Sequence, residues 1–467
     1  MSESRTAPSS SSSKRSHADD NNNLDEAALK YARGAYESKP KHVKHKSLRE
    51  TLKTMNDTIK KNATLTASTE ILLPEEAGYI QVDEGEKVYK LKQNIIKQNV
   101  DINTSTNLFD FQLTNFGPYH VNYSRNGRSL LFGGRRGHVA SIDSIRTTVG
   151  MELQLQEDVY DICYLHNETM FAVAQKKYTY IYDQNGVEIH CLRKHERPYK
   201  LDYLPYHFLL TSIGQSGYIR WQDVSTGALI GNGSPTGHGP CKVLKHNPHN
   251  AVSHLGHSNG VVTLWSPASS KALVSMFCHK APVTDLAVDL EGKYMVTAGL
   301  DTYLKVWDLR TYRMLHCYKP DKPVVSIDIS DRAMIAIGLG REVQILKNAF
   351  TQPMDVTYLK HEIRAPNRSL IVGNAAVASK RALLSSVSVH SVKFRPYEDS
   401  LAIGHSHGIT SIIVPGSGEP NFDSYENNPY ITTTQRREQE VQTLLNKLAP
   451  EMIGLGKFPR TILSLLY

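Results

Sequence analysis

The chain has 467 residues, 40% apolar and 21% charged, with 54 Lys and Arg against 46 Asp and Glu. That is room for one large repeat domain with appendages or for two or three ordinary domains. No run approaches the roughly 18 apolar residues of a membrane span, and the Ser-rich opening stretch has no secretory signal core, so the expectation is a soluble protein of the cytosol or nucleus. A formal charge of +8 favours an acidic or nucleic-acid neighbour.

Residues 1–23 are rich in Ser and Asn and hold too little apolar surface to offset the entropy of ordering; they are expected to be disordered. Residues 24–115 form a basic arm. Within it, apolar residues three and four apart predict short helices over 24–36 and 48–59. Between these helices Lys39, Lys41, Lys44 and Lys46 alternate with residues that cannot build a core, a pattern suited to phosphate contacts or nuclear targeting and also to a solvated linker.

From about residue 116 the chain turns to short β-rich segments punctuated by Gly and Asp. Seven similar strands end at Ile142, Tyr182, Trp221, Trp265, Trp307, Leu346 and Ile413, spaced by 40, 39, 44, 42, 39 and 67 residues. A period near 40 with several strands per unit is the signature of propeller blades, so the fold expected over 116–416 is all-β, a seven-bladed propeller. The long last spacing implies an insertion over about 363–387, read as a mobile loop between blades six and seven. The sharpest unit, 279–308, resembles a WD repeat. That resemblance implies a buried structural network of His279, Thr297, Asp301 and Trp307.

The extension 417–467 contains a helix that one of Thr432 to Thr434 can cap and Pro450 ends. Val441, Leu444, Leu445 and Leu448 fall at i, i+3, i+4 and i+7 and are expected to be buried as its docking face. Arg436 and Arg437 lie on the opposite side, and Arg135 and Arg136 stand on a blade turn beside Gly133 and Gly134. All four are candidate RNA or partner contacts, although adjacent surface arginines are commonly just solvated.

Three stretches carry a more specific likeness. Phe394-Arg395-Pro396-Tyr397 through Gly404-His405-Ser406-His407-Gly408, then the Pro-Gly-Ser-Gly-Glu-Pro-Asn-Phe-Asp run from Pro415, then Gln435-Arg436-Arg437-Glu438 to Pro450-Glu451-Met452-Ile453 resemble the C-terminal signature of the BING-four type WD-repeat proteins. Phe116-Gly117-Pro118-Tyr119 and the glycine-rich segment to Ala140 resemble that family's entry into its first blade. The resemblance covers about residues 70–455. It implies a nucleolar scaffold subunit of the U3 ribonucleoprotein, or small-subunit processome, acting in pre-18S rRNA processing and 40S subunit biogenesis. The partners implied are U3 or pre-ribosomal RNA and other processome proteins, WD-repeat subunits among them. The alternative is an adaptor in an unrelated complex such as a ubiquitin ligase.

Enzyme motifs are not expected. Gly338-Leu339-Gly340 lacks the third glycine of a dinucleotide loop, and there is no phosphate loop or nucleophile elbow. The pairs His246, His249 and His254, His257 sit in β-rich sequence rather than on a helix, so neither metal nor cofactor is expected. Five widely spaced cysteines read as buried thiols.

Overall fold

A computed structural model describes residues 43–68, 78–81, 87–351, 357–364, 387–419 and 429–455. The chain divides into two units, Met1–Glu76 and Ala77–Tyr467. In the first, helix α1 runs Lys46–Ser68, longer than the expected 48–59. The expected helix over 24–36 lies outside the described residues.

The second unit contains seven antiparallel four-stranded sheets among the described residues. Blade 1 comprises Tyr119–Tyr123, Ser129–Gly134, His138–Asp143 and Thr148–Gln154; blade 2, Val159–Tyr164, Met170–Gln175, Thr179–Asp183 and Glu188–Leu192; blade 3, Pro198–Leu204, Leu209–Gly214, Tyr218–Asp223 and Leu229–Pro235. Blade 4 holds Cys241–His246, Ser253–His257, Val261–Trp265 and Val274–Phe277; blade 5, Val283–Val288, Tyr294–Gly299, Leu304–Asp308 and Arg313–Tyr318; blade 6, Ser326–Ile329, Ile335–Leu339, Glu342–Leu346 and Thr357–Glu362. Blade 7 takes Val389–Phe394, Ser400–His405 and Gly408–Ile413 from one end of the ring and Asp110–Gln112 from the other.

Each blade's second strand is buried on both faces because neighbouring sheets stack on it. That explains near-continuous apolar runs such as Phe171-Ala172-Val173-Ala174, as in other sheets covered on both sides. One core cluster joins Leu131 and Val139 of blade 1 to Val159, Ile162 and Phe171 of blade 2. The outer strands are mostly solvent-exposed, as in Thr148–Gln154.

The inner strands of adjacent blades are stitched together around the channel. Asp161 accepts from Leu201 N–H (3.0 Å), Asp202 from His246 N–H (2.9 Å), Asp285 from Ile327 N–H (2.7 Å) and Asp328 from Phe394 N–H (2.8 Å). Each aspartate thus satisfies a backbone donor that the neighbouring inner strand turns away from its own sheet.

The ring closes differently from the expected start at 116. Asp110, Phe111 and Gln112 pair with Thr410, Ile409 and Gly408, so part of the supposed arm is the outer strand of blade 7. Closure by a strand from the opposite chain end removes the edge that Gly408–Ile413 would otherwise present. The inserted link between blades 6 and 7 begins with buried Ile363 and ends with buried Val387; 365–386 lie outside the described residues. Among the cysteines Cys163, Cys241 and Cys278 are buried, whereas Cys317 is exposed and Cys191 half-buried, because these two stand on outer strands. No described helix is long and apolar enough to cross a membrane.

Candidate nucleic-acid and partner interface

In blade 5 the structure brings His279, Thr297, Asp301 and Trp307 together. His279 Nδ1 lies 3.1 Å from Asp301 Oδ1 and Nε2 lies 2.9 Å from Thr297 Oγ1, and that oxygen accepts from Trp307 Nε1 at 3.0 Å. A carboxylate can only accept, so Nδ1 carries the proton and Nε2 accepts from the threonine hydroxyl. Other blades build different networks. His195 bridges Ser212 and Gln222 in blade 3, and His257 meets Thr263, which accepts from Trp265, in blade 4. His246 pairs with Asp202, and His254 approaches the Val252 carbonyl, so these histidines serve separate bonds.

One rim of the ring carries the turns between first and second and between third and fourth strands, and the segments of this same unit around 93–107 and 429–455 lie on it. From the N-terminal side, Gln93 exchanges two hydrogen bonds with the backbone of Ile413 (2.9 and 3.0 Å), mimicking a strand partner. Ile96 enters the core of blades 6 and 7, in a helix α2 spanning Gln93–Gln98. Buried Arg395 donates to the Gly127 carbonyl (2.6 Å) and to Asn107 (2.9 Å), tying blade 7 to blade 1 and to the end of helix α3, Ile102–Thr106.

From the C-terminal side comes helix α4, Thr433–Leu445, with a capping box of Thr432 and Gln435. It docks with the face opposite to the one expected. Arg436 pairs with Glu168 (2.9 Å), Glu440 with His166 (3.0 Å) and, just past the helix, Lys447 with Asp223. Val441, Leu444 and Leu445 are consequently exposed, Leu445 by 81%, and Leu448 is half-buried with its N–H on the Tyr206 carbonyl (3.0 Å). Carboxylates on blades 2 and 3 select the cationic side of the helix, which apolar spacing does not disclose. Arg436 is therefore a docking residue, while Arg437 stays exposed. The anchor that hydrophobic spacing missed is Ile453, buried against blade 4 with its carbonyl accepting from Ser266 (2.5 Å).

The other rim carries the turns between second and third strands and the links between blades. Arg136 is exposed there, and half-buried Arg135 lays its guanidinium 4.0 Å from the ring centre of Tyr160, which meets Tyr199 edge-on at 5.7 Å. Both tyrosines lie at irregularities in inner-strand pairing, at Val159/Asp161 and Pro198/Lys200. Sequence patterning gave no sign of them, because a bulge falls outside alternation. Of the arm lysines, Lys44 and Lys46 are exposed near the start of α1, and Lys39 and Lys41 lie outside the described residues.

Inside the channel a cavity of about 200 Å³ is lined by Asp202, Lys245, His246, Asp328 and Lys393 among others. Burial disfavours the Lys245 ammonium, but the carboxylates of Asp328, Asp202 and Asp285 outweigh it and hold the charge on. These groups neutralise one another, as Lys393 does with Asp328 at 2.8 Å. The arrangement serves the ring. No group of three metal-ligating side chains is present among the described residues.

Comparison with known proteins adds the lineage. Residues 380–456 match the BING4CT (NUC141) domain and 270–308 the WD domain, G-beta repeat. The chain is 42% identical over 433 residues to U3 small nucleolar RNA-associated protein 7 of Saccharomyces cerevisiae, covering 91% of this chain and 77% of that protein. It is 41% identical over 400 residues to human WD repeat-containing protein 46, of which it spans 62%, and 37% identical over 425 residues to the Caenorhabditis elegans protein of that name, of which it spans 69%. The chain, with its closed ring and its C-terminal signature docked on one rim, belongs to the BING4CT-containing WD-repeat family of these three proteins.

Proposed function

We propose that this chain is a non-catalytic scaffold subunit of the U3 ribonucleoprotein, the small-subunit processome, acting in pre-18S rRNA processing and 40S subunit biogenesis. The observation that carries the reading is the likeness to a U3 small nucleolar RNA-associated protein over 91% of the chain, extensions included. A seven-bladed ring with elaborated rims suits simultaneous contacts better than turnover. Its partners are U3 or pre-ribosomal RNA and other processome proteins, WD-repeat subunits among them, and its place is the nucleolus. It needs no cofactor and no small-molecule substrate.

The test is affinity purification of the full chain from nuclear extract, with sequencing of bound RNA and identification of bound proteins. Enrichment of U3 and pre-18S sequences is the expected result. Recovery of ubiquitin-ligase subunits without those RNAs would favour the adaptor alternative, and turnover by the pure protein would overturn the non-catalytic reading.

A further inference from the structure

Five of the seven inner strands break register next to the inter-blade link, at Val159/Asp161, Pro198/Lys200, Cys241/Val243, Val283/Asp285 and Val389/Ser391. A bulge of this kind re-aims one side chain. In blades 2 and 3 the skipped residues are Tyr160 and Tyr199, whose rings meet across the gap between blades. Backbone bonds fix cations beside them: Val159 N–H donates to the Arg135 carbonyl (3.0 Å) and Arg197 N–H to the Lys177 carbonyl (2.8 Å). The Arg135 guanidinium sits over the Tyr160 ring, while Lys176, Lys177 and Arg197 are exposed on adjoining turns. Glu157, Asp158 and Glu196 also lie in this sector but are outnumbered by cations that include Arg193 and Lys194.

We propose that this lip of the channel, on the rim opposite helices α2 and α4, binds a short run of unpaired RNA. Half-buried aromatic rings fixed by a bulge and by an arginine stack offer π surface at little entropic cost, and a base can stack on a guanidinium plane as on a tyrosine. The cations on either side track the phosphates. A duplex keeps its bases stacked internally and cannot use the rings, so the chemistry selects single strands. The inference deepens the proposed role in an RNA-containing particle and rests on it for the RNA's origin.

The experiment titrates the full chain with unpaired 12-nucleotide oligoadenylate and oligouridylate, and with a 12-base-pair RNA duplex, and maps ultraviolet cross-links on the protein. Single strands should bind more tightly than the duplex, with cross-links in the segments around 160 and 199. Tyr160→Ala, Tyr199→Ala and Arg135→Ala should each weaken single-strand binding by roughly 5- to 100-fold, the range of base–aromatic stacking. Tyr160→Phe and Tyr199→Phe should bind like the parent, which assigns the effect to the ring rather than the hydroxyl, and thermal melts of the alanine variants separate lost stacking from lost folding. Lys176→Ala with Lys177→Ala should weaken binding and flatten its salt dependence. Equal affinity for the duplex, or alanine variants that fold and bind as the parent does, would overturn this assignment. U3 and pre-18S RNA could still co-purify in that event, so failure of the lip and failure of the processome reading are distinguishable.

Discussion

His279, Thr297, Asp301 and Trp307 were legible because the WD repeat in blade 5 keeps its residue types in order; the equivalents elsewhere were not, since His195 recruits Ser212 and Gln222 instead. Asp301→Ala leaves His279 Nδ1–H without its acceptor and should cost about 1–3 kcal/mol. Trp221 is 2% exposed while Trp307 is half-buried, so Trp221→Ala should cost about 3–5 kcal/mol and Trp307→Ala less. Denaturant midpoints measured at constant slope would check this ranking. Histidines also set the response to acid. Burial pushes His195 and His254 down to about 4, whereas an unfolded histidine titrates near 6.5. Between those values the unfolded chain binds more protons, so stability is whole above about pH 6.5 and declines toward about pH 4. His195→Gln should make the decline shallower in unfolding curves taken across that window, and an unchanged slope would argue that His195 is charged in the fold.

Helix α4 shows where sequence periodicity stops. Spacing of Val441, Leu444 and Leu445 marks an apolar side, yet which side docks is decided by Glu168 and Asp223, far away in sequence. Leu445→Glu should therefore leave stability within about 0.5 kcal/mol of the parent. Arg436→Ala with Lys447→Ala should instead loosen the helix, read as faster amide exchange over 433–448 with the ring's protection retained. The basic arm poses a question of the same scale. If Lys39, Lys41, Lys44 and Lys46 lie on phosphates, replacing all four by alanine should weaken RNA binding across sequences and flatten the slope of log affinity against log salt. Equal slopes would mark the run as a linker or targeting signal.

For the molecule as a whole, the blade count could be read from the third strands, near whose ends the aromatics Tyr182, Trp221, Trp265 and Trp307 recur with the blade period. The closing strand could not: Asp110–Gln112 is three residues long, and its pairing is fixed by residues at the other end of the ring. Gly408, at φ +149°, faces it so closely that a Cβ would overlap the Phe111 carbonyl oxygen. Gly408→Ala should thus force the closure apart and lower the melting temperature, as should deletion of residues 1–115, which leaves blade 7 without its outer strand. Melts matching the parent's would show that the ring holds without this clasp.

The clasp also imposes an order of events during synthesis. Asp110–Gln112 leaves the ribosome roughly 300 residues before Gly408–Thr410, which at about 5–20 residues per second is a wait of some 15–60 s with no partner to pair with. A long apolar strand left waiting would recruit whatever edge it met first. A three-residue one with Asp and Gln around a single Phe has little to offer a stranger, and takes its place only when translation has delivered the rest of the seventh blade.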